Sequence, residues 1–278
     1  MSTPRIGLAL GGGSARGLAH IPMLEVFDEL GIKPAVIAGC SIGALIGAGY
    51  AAGMSARDIR ERAERLLSNR IDAMRYVLGH KKMRLRDLLA LKGIASFHID
   101  GETLAGLVLP DDLPVMIEDL AIPFKAVTTD YDLMQERVFT SGPLLRAVAA
   151  SLAIPGVILG PKIDGHVHVD GGVTNPVPFD HVRENTDIGV AIDVTGRPRP
   201  PLRAHHSNME LAVGSLLIMF HQVASLRRAA APPDIYVEPA LVDFSGADFF
   251  KAKAMFDAAQ PAKDQLKREL ELLMRKVG

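Results

Sequence analysis

Residues 35–47 read AVIAGCSIGALIG, in which a short apolar run leads into Gly39-Cys40-Ser41-Ile42-Gly43. The pattern predicts a strand over Ala35–Ala38, a tight turn, and a helix of small and apolar residues. A G-x-S-x-G motif in this context is typical of a nucleophile elbow, whose serine occupies a sharp turn between glycines. Ser41 is therefore a candidate nucleophile, flanked by Gly39, Ile42 and Gly43. The alternative is a glycine-rich turn that only packs a helix close to a sheet.

The segment 34–56 is uncharged over 23 residues, which is long enough to cross a bilayer. Gly39, Gly43 and Gly47 within it are spaced like a helix-dimerisation stripe. Five glycines in the segment disfavour one continuous helix, so we expect no membrane span. The run Ile6–Leu10 is too short for a signal peptide, and the expected location is cytoplasmic, with a peripheral membrane location as the alternative.

Apolar runs alternate with amphipathic stretches, which is typical of βα units and predicts an α/β protein with a largely parallel sheet. The other predicted strands are Ile6–Leu10, Phe124–Thr128, Arg137–Thr140, Ile188–Val194, Ile235–Val237, and a hairpin of Pro161–Ile163 with His166–Val169. The predicted helices are Gly17–Leu30, a charged helix from a Ser55–Asp58 capping box to Ser68, Asn208–Arg228, and a terminal helix to Lys276.

The composition of the 278-residue chain is that of a folded protein, with 48% hydrophobic and 23% charged residues. The 31 Lys and Arg residues nearly balance the 32 Asp and Glu residues, so overall charge does not favour a nucleic-acid partner. Cys40 is the only cysteine, which excludes an intramolecular disulfide and a cysteine-based zinc site. We expect no metal or cofactor.

The first predicted strand is followed by Gly11-Gly12-Gly13-Ser14-Ala15-Arg16-Gly17. Consecutive glycines expose backbone N–H groups that can converge on a phosphate or on the oxyanion of an acyl-transfer intermediate. Arg16 replaces the third small residue of a dinucleotide fingerprint, and no Gly-Lys-Ser/Thr follows as in a P-loop. An oxyanion loop is thus the favoured interpretation. For Arg16 two roles remain open, a surface ion pair or fixing of this loop.

Asp170-Gly171-Gly172 ends the predicted hairpin strand. An Asp-Gly pair is usually only a turn. A serine nucleophile, however, needs a base to accept its proton, and Asp170 is a candidate because it lies at a strand end.

These three blocks, in this order, resemble those of the patatin-like phospholipases, especially the bacterial members. The stretch 150–156, Ala-Ser-Leu-Ala-Ile-Pro-Gly, also resembles the segment that precedes the aspartate block in that family. The similarity is strongest over 5–194 and weaker through 234–244. Cys40 departs mildly from the family pattern, in which a small hydroxyl residue is common at this place.

The resemblance implies a three-layer α/β/α fold and a Ser-Asp dyad. Ser41 would be the nucleophile, Asp170 the base, and Gly11–Gly13 with Arg16 and Gly17 the oxyanion loop. Phospholipids, lysophospholipids or related lipid esters would be the substrates. We expect a catalytic core over 5–195 and a C-terminal extension over 196–278 packed on the same domain.

Two alternatives to this function stay open. A Ser-His-Asp esterase would need a histidine base, for which the candidates are His166, His168, His181, His205, His206 and His221. A non-catalytic lipid- or anion-binding module would keep the glycine loop but would not hydrolyse esters.

Two segments suggest partners. Between 70 and 86 there are six Lys or Arg residues and one acidic residue, with apolar residues interleaved. This segment is either a membrane-contacting surface or an ordinary solvated face. The apolar stretch 211–223 is either core, which is favoured, or the face of a homo-oligomer.

Overall fold

The computed structural model describes residues 4–68, 99–196 and 208–277. Its strands are β1 (Ile6–Leu10), β2 (Val36–Cys40), β3 (Ile99–Asp100), β4 (Phe124–Asp130), β5 (Gln135–Phe139), β6 (Ile158–Leu159), β7 (Lys162–Ile163), β8 (His166–Asp170), β9 (Ile188–Ile192) and β10 (Ile235–Val237). Its α-helices are α1 (His20–Glu29), α2 (Ile42–Ala51), α3 (Ala56–Leu67), α4 (Gly101–Val108), α5 (Leu144–Ser151), α6 (Asn208–Ala230) and α7 (Ala252–Val277).

A mixed, mostly parallel sheet forms the middle of a three-layer α/β/α fold. Within the described ranges its hydrogen-bonded strands follow the path β10-β9-β1-β2-β4-β8-β7, and β5 also pairs with β4. The five strands from β10 to β4 are parallel, whereas β5 and β8 run antiparallel to β4. The expected α/β class and largely parallel sheet are confirmed.

The two faces of the sheet bury different sets of residues because side chains alternate along a strand. Leu8 and Leu10 of β1 belong to the large core cluster, which includes residues of α1, α2 and α7. Ala9, between them, belongs to a smaller cluster with Val177, Val182 and Ala224 of α6. The segment after Asp170 and helix α6 therefore cover the face opposite α2.

Most predicted elements are confirmed, including β1, β10 and the Ser55–Asp58 capping box. Helices α4 and α5 were not predicted. Strand β10 joins the central sheet, and α7 packs on α1, so the chain after 207 is integrated with the core.

The expectation that 211–223 is core is wrong for one side of α6. Phe220 is buried, but Leu211, Ile218 and Met219 are exposed by 52%, 47% and 55%. The basic segment 70–86 lies outside the described residues. No helix in the described part of the chain has the length and apolar character of a membrane span.

Candidate active site

Ser41 lies between the end of β2 and the start of α2, at the sharp turn that the elbow motif predicts. Its φ of 53° and ψ of −123° are sparsely populated for a residue with a side chain, so the surrounding packing must hold this conformation. A Cβ on Gly43 would overlap the carbonyl oxygen of Leu10, so glycine lets α2 approach β1 closely. A Cβ on Gly39 would lie 2.5 Å from Ala44 Cα.

A buried serine that sequence reasoning did not single out holds the elbow in place. The Ser41 N–H donates to Ser151 Oγ at 2.8 Å, and Ser151 Oγ donates to the carbonyl of Val127 at 2.6 Å. Ser151 ends α5, in the stretch that carries the resemblance before the aspartate block. The Ser41 N–H is therefore already used and is not free to bind an oxyanion.

The strand register brings Asp170 to the elbow across 129 residues of chain. On one edge of β4, Cys40 of β2 pairs with Val127, and Asp170 of β8 pairs with the next residue, Thr128. Because β5 occupies the other edge, β2 and β8 meet end to end along β4. Asp170 Oδ1 consequently lies 3.9 Å from Sγ of Cys40. Cys40 directly precedes Ser41, the predicted nucleophile.

The Asp170 side chain is fully buried. Burial raises its pKa to about 6, against the opposing influence of the Ser41 hydroxyl, the Gly172 N–H and the Cys40 thiol. Oδ1 accepts a hydrogen bond from the Gly172 N–H at 2.8 Å, whereas Oδ2 has no hydrogen-bond partner among the described residues. A carboxylate with a raised pKa and an uncommitted oxygen is a suitable proton acceptor at neutral pH.

The glycine loop lies against the elbow, but two of its backbone N–H groups already form hydrogen bonds. The Gly11 N–H donates to Ile192 O at 3.0 Å and the Gly12 N–H to Pro176 O at 2.8 Å. A Cβ placed on Gly12 would lie 3.3 Å from Ser41 Cβ, so the loop approaches Ser41 closely here. The sequence prediction did not anticipate that these two N–H groups fix the loop itself.

Arg16 is buried, so the surface ion pair considered for it is wrong. Its Nε and Nη2 have no hydrogen-bond partner among the described residues. Burial lowers its pKa, and the nearby charge of Asp193 opposes this change.

Gly17 allows close packing on the elbow, because a Cβ there would overlap the side chain of Ile42. The buried His20 side chain also holds the glycine loop, through a 2.8 Å hydrogen bond between its Nε2 and Gly11 O.

Four candidate histidines are described, and their hydrogen bonds are made to groups other than Ser41 and Asp170. The partners are Asp130 for His166, Thr128 for His168, Glu136 for His181 and Thr195 for His221. Within the described residues the hydrogen bonds thus give no support to a triad; His205 and His206 lie outside them.

Two groups of side chains have the spacing of metal ligands. Glu136, Asp180 and His181 form one group, but Arg227 already pairs with both carboxylates. Asp193, His221 and Glu238 form the other, at a cavity of about 420 Å³. The Asp193 carboxylate accepts from the Tyr236 hydroxyl at 2.6 Å and from the Thr195 N–H at 2.8 Å.

The chain is similar to several known proteins. A family model described as patatin-like phospholipase matches residues 8–183. An uncharacterized NTE family protein of Mycobacterium tuberculosis is 34% identical over 217 residues, which are 75% of this chain and 54% of the relative. Patatin-like phospholipase domain-containing protein 7 of Rattus norvegicus is 35% identical over 201 residues, 71% of this chain and 14% of the relative.

Neuropathy target esterase sws of Drosophila melanogaster is 35% identical over 196 residues, 68% of this chain and 13% of the relative. The chain thus spans about half the length of the mycobacterial relative and a small part of the animal ones. Among solved structures, VipD from Legionella pneumophila matches with a TM-score of 0.47 and 14% identity, over 95% of this chain and 67% of that one.

Proposed function

The chain belongs to the patatin-like phospholipase family, and from this membership and the site geometry we propose that it is a serine acyl hydrolase of lipid esters. Phospholipids, lysophospholipids and related esters are the proposed substrates. The observation that carries the proposal is the burial of Asp170 at the end of β8, beside the strained elbow of Ser41.

The proposed chemistry uses one nucleophile and one carboxylate. Ser41 Oγ attacks the ester carbonyl carbon while its proton passes to Asp170, and the resulting tetrahedral intermediate collapses as Asp170 returns that proton to the leaving alcohol. Water then attacks the acyl-enzyme, gives a proton to Asp170, and releases the fatty acid as Ser41 Oγ is reprotonated. Only the ionised Asp170 can start this cycle, so activity falls as pH drops through about 6.

The oxyanion is proposed to bind at the N–H groups of Gly13 and Ile42. The N–H groups of Gly11, Gly12 and Ser41 already donate to other partners. Ile42 is the first residue of α2, where N–H groups lack partners inside the helix and the helix dipole favours negative charge.

The test is a substrate panel with covalent labelling. Defined phospholipids, lysophospholipids and simple esters of graded chain length are assayed with the wild type, and a fluorophosphonate probe is reacted with the same preparation. We expect hydrolysis and stoichiometric labelling of Ser41. Folded protein that neither hydrolyses these esters nor reacts with the probe would contradict the proposal and favour the non-catalytic lipid-binding module.

Replacing Gly12 with alanine is expected to lower kcat about tenfold or more with little change in KM. The new methyl group would press on Ser41 Cβ at 3.3 Å and on Cys40 Sγ at 3.4 Å, which displaces the nucleophile from the bound ester. Steady-state kinetics on a soluble ester measure the effect. Gly214→Ala is the matched control, because nothing lies within 4 Å of the added Cβ.

Unchanged kcat in Gly12→Ala would show that the loop does not set the position of Ser41. Gly13→Ala is not a clean variant, because its Cβ would overlap the carbonyl oxygen of Val194.

A further inference from the structure

The turn that follows Asp170 connects the two parts of the proposed site. The Gly172 N–H binds Asp170 Oδ1, and the Asn175 N–H donates to Gly171 O at 2.8 Å. The next residue, Pro176, accepts the Gly12 N–H from the glycine loop. A shift of this turn would therefore move both the base and the loop that touches Ser41.

Asn175 is the fully buried polar side chain in this turn. Its Nδ2 donates to Glu136 Oε1 at 3.1 Å and to Asp180 Oδ1 at 2.9 Å. Both acceptors are carboxylates, which fixes the orientation of the amide, because only its NH₂ group can face them. One donor group thus ties the turn to β5 and to the segment before β9.

The two carboxylates are held in turn by cations. Arg227 of α6 reaches Asp180 Oδ2 through Nη1 at 3.1 Å and Glu136 Oε2 through Nη2 at 3.2 Å. His181 donates to Glu136 Oε1, and this hydrogen bond raises the pKa of His181. Burial would raise the pKa of Glu136, but the hydrogen bonds from His181 and Asn175 outweigh it and hold that pKa low. The carboxylates are therefore charged acceptors, which form strong hydrogen bonds.

Helix α6 contacts the same turn at a second point. A Cβ added to Gly172 would overlap the ring of Phe220, so this ring packs directly on the aspartate turn. Arg227 follows seven residues later on the same helix. Helix α6 therefore packs on the turn through Phe220. Through Arg227 it also binds the two carboxylates that hold Asn175.

We propose that Asn175 is a positioning residue for acyl transfer, held by Glu136 and Asp180 and secured from α6 by Arg227. Its hydrogen bonds within the described residues go to Glu136, Asp180 and Gly171 and not to Ser41 or Asp170, and it acts by keeping the 170–176 turn in register with the glycine loop. The inference rests on the proposed function, because it concerns the same Ser41 and Asp170.

Loosening of the 170–176 turn would change the pH dependence of activity, which a loss of folded protein would not do. The groups that face Asp170 are the Cys40 thiol of β2, the Ser41 hydroxyl and the Gly172 N–H, and all three hold its pKa down against burial. If the turn loosens, the Gly172 hydrogen bond weakens and the pKa of Asp170 rises. The acid limb of the kcat/KM profile then moves to higher pH.

The experiment compares Asn175→Ala and Arg227→Met with Arg228→Met as the matched control. Arg228 is the neighbouring arginine on α6, but it stacks on the Tyr236 ring at 4.0 Å and makes no ion pair with the two carboxylates. We expect kcat at pH 7 to fall at least tenfold in Asn175→Ala and at least threefold in Arg227→Met, with KM within twofold and the acid limb shifted upwards. Arg228→Met should match the wild type, and Arg227→Lys should recover part of the loss.

The outcomes separate this proposal from the proposed function. Wild-type protein without Ser41-dependent hydrolysis would overturn the proposed function itself. Active wild type with an unmoved acid limb in folded Arg227→Met and Asn175→Ala would overturn the positioning role. Should Asn175→Ala fail to fold by circular dichroism, Arg227→Met, at the partly exposed end of the network, decides alone.

Discussion

Replacing Ser41 with alanine is expected to reduce ester hydrolysis at least ~10³-fold, because the step that forms the acyl-enzyme loses its nucleophile. The change removes one hydroxyl oxygen and leaves in place the hydrogen bond from the residue 41 N–H to Ser151. Alanine tolerates the same backbone as serine, so the melting temperature should stay close to that of the wild type. Hydrolysis rates and thermal unfolding of one preparation measure both expectations.

Ser225→Ala serves as the matched control, because Ser225 is an exposed serine on α6 at the 420 Å³ cavity. It should retain wild-type rates. Activity of Ser41→Ala within about tenfold of wild type would show that another group is the nucleophile.

Local sequence signals predicted the elements that build the site better than they predicted its contacts. The elbow and the strands β1 and β2 have strong local signals, because glycine spacing and apolar runs decide them. Helix α5 was missed, and with it Ser151, whose role depends on a hydrogen bond to a residue 110 positions earlier. No periodicity within α5 could reveal that contact.

The sequence indicates Asp170 as a candidate base because it lies at a strand end and because a serine nucleophile needs a base. Its raised pKa could not be foreseen, because it depends on complete burial where β2 and β8 meet end to end. The burial of Arg16 could not be predicted either, because charged residues are mostly exposed. Its burial follows from packing that the local sequence does not encode. Asn175 had no local signal at all, because one of its two side-chain partners, Glu136, lies 39 residues earlier in the chain.

Asp170→Asn is expected to lower kcat nearly as far as Ser41→Ala does, because asparagine cannot accept the serine proton. The amide oxygen can still accept the Gly172 N–H, so the turn should keep its shape. His166→Gln and His221→Gln should retain activity within tenfold, because these side chains bind Asp130 and Thr195 instead. A folded histidine variant as inactive as Ser41→Ala would establish a triad.

The same substitution should stabilise the protein in a pH-dependent way. The pKa of Asp170 is about 6 in the folded protein, against an ordinary value of 3.8, so the folded state holds the proton more tightly than the unfolded chain does. Wild-type stability therefore falls as pH rises from about 4 to above 6, whereas a neutral amide contributes no such change. The free energy of unfolding of Asp170→Asn, relative to wild type, should increase by about 2 kcal/mol between pH 4.5 and pH 8. Denaturant unfolding at the two pH values measures this difference, and any constant cost of the new NH₂ group cancels. A difference that does not change with pH would mean that folding does not raise the pKa of Asp170, and the argument from its raised pKa for Asp170 as the base would be lost.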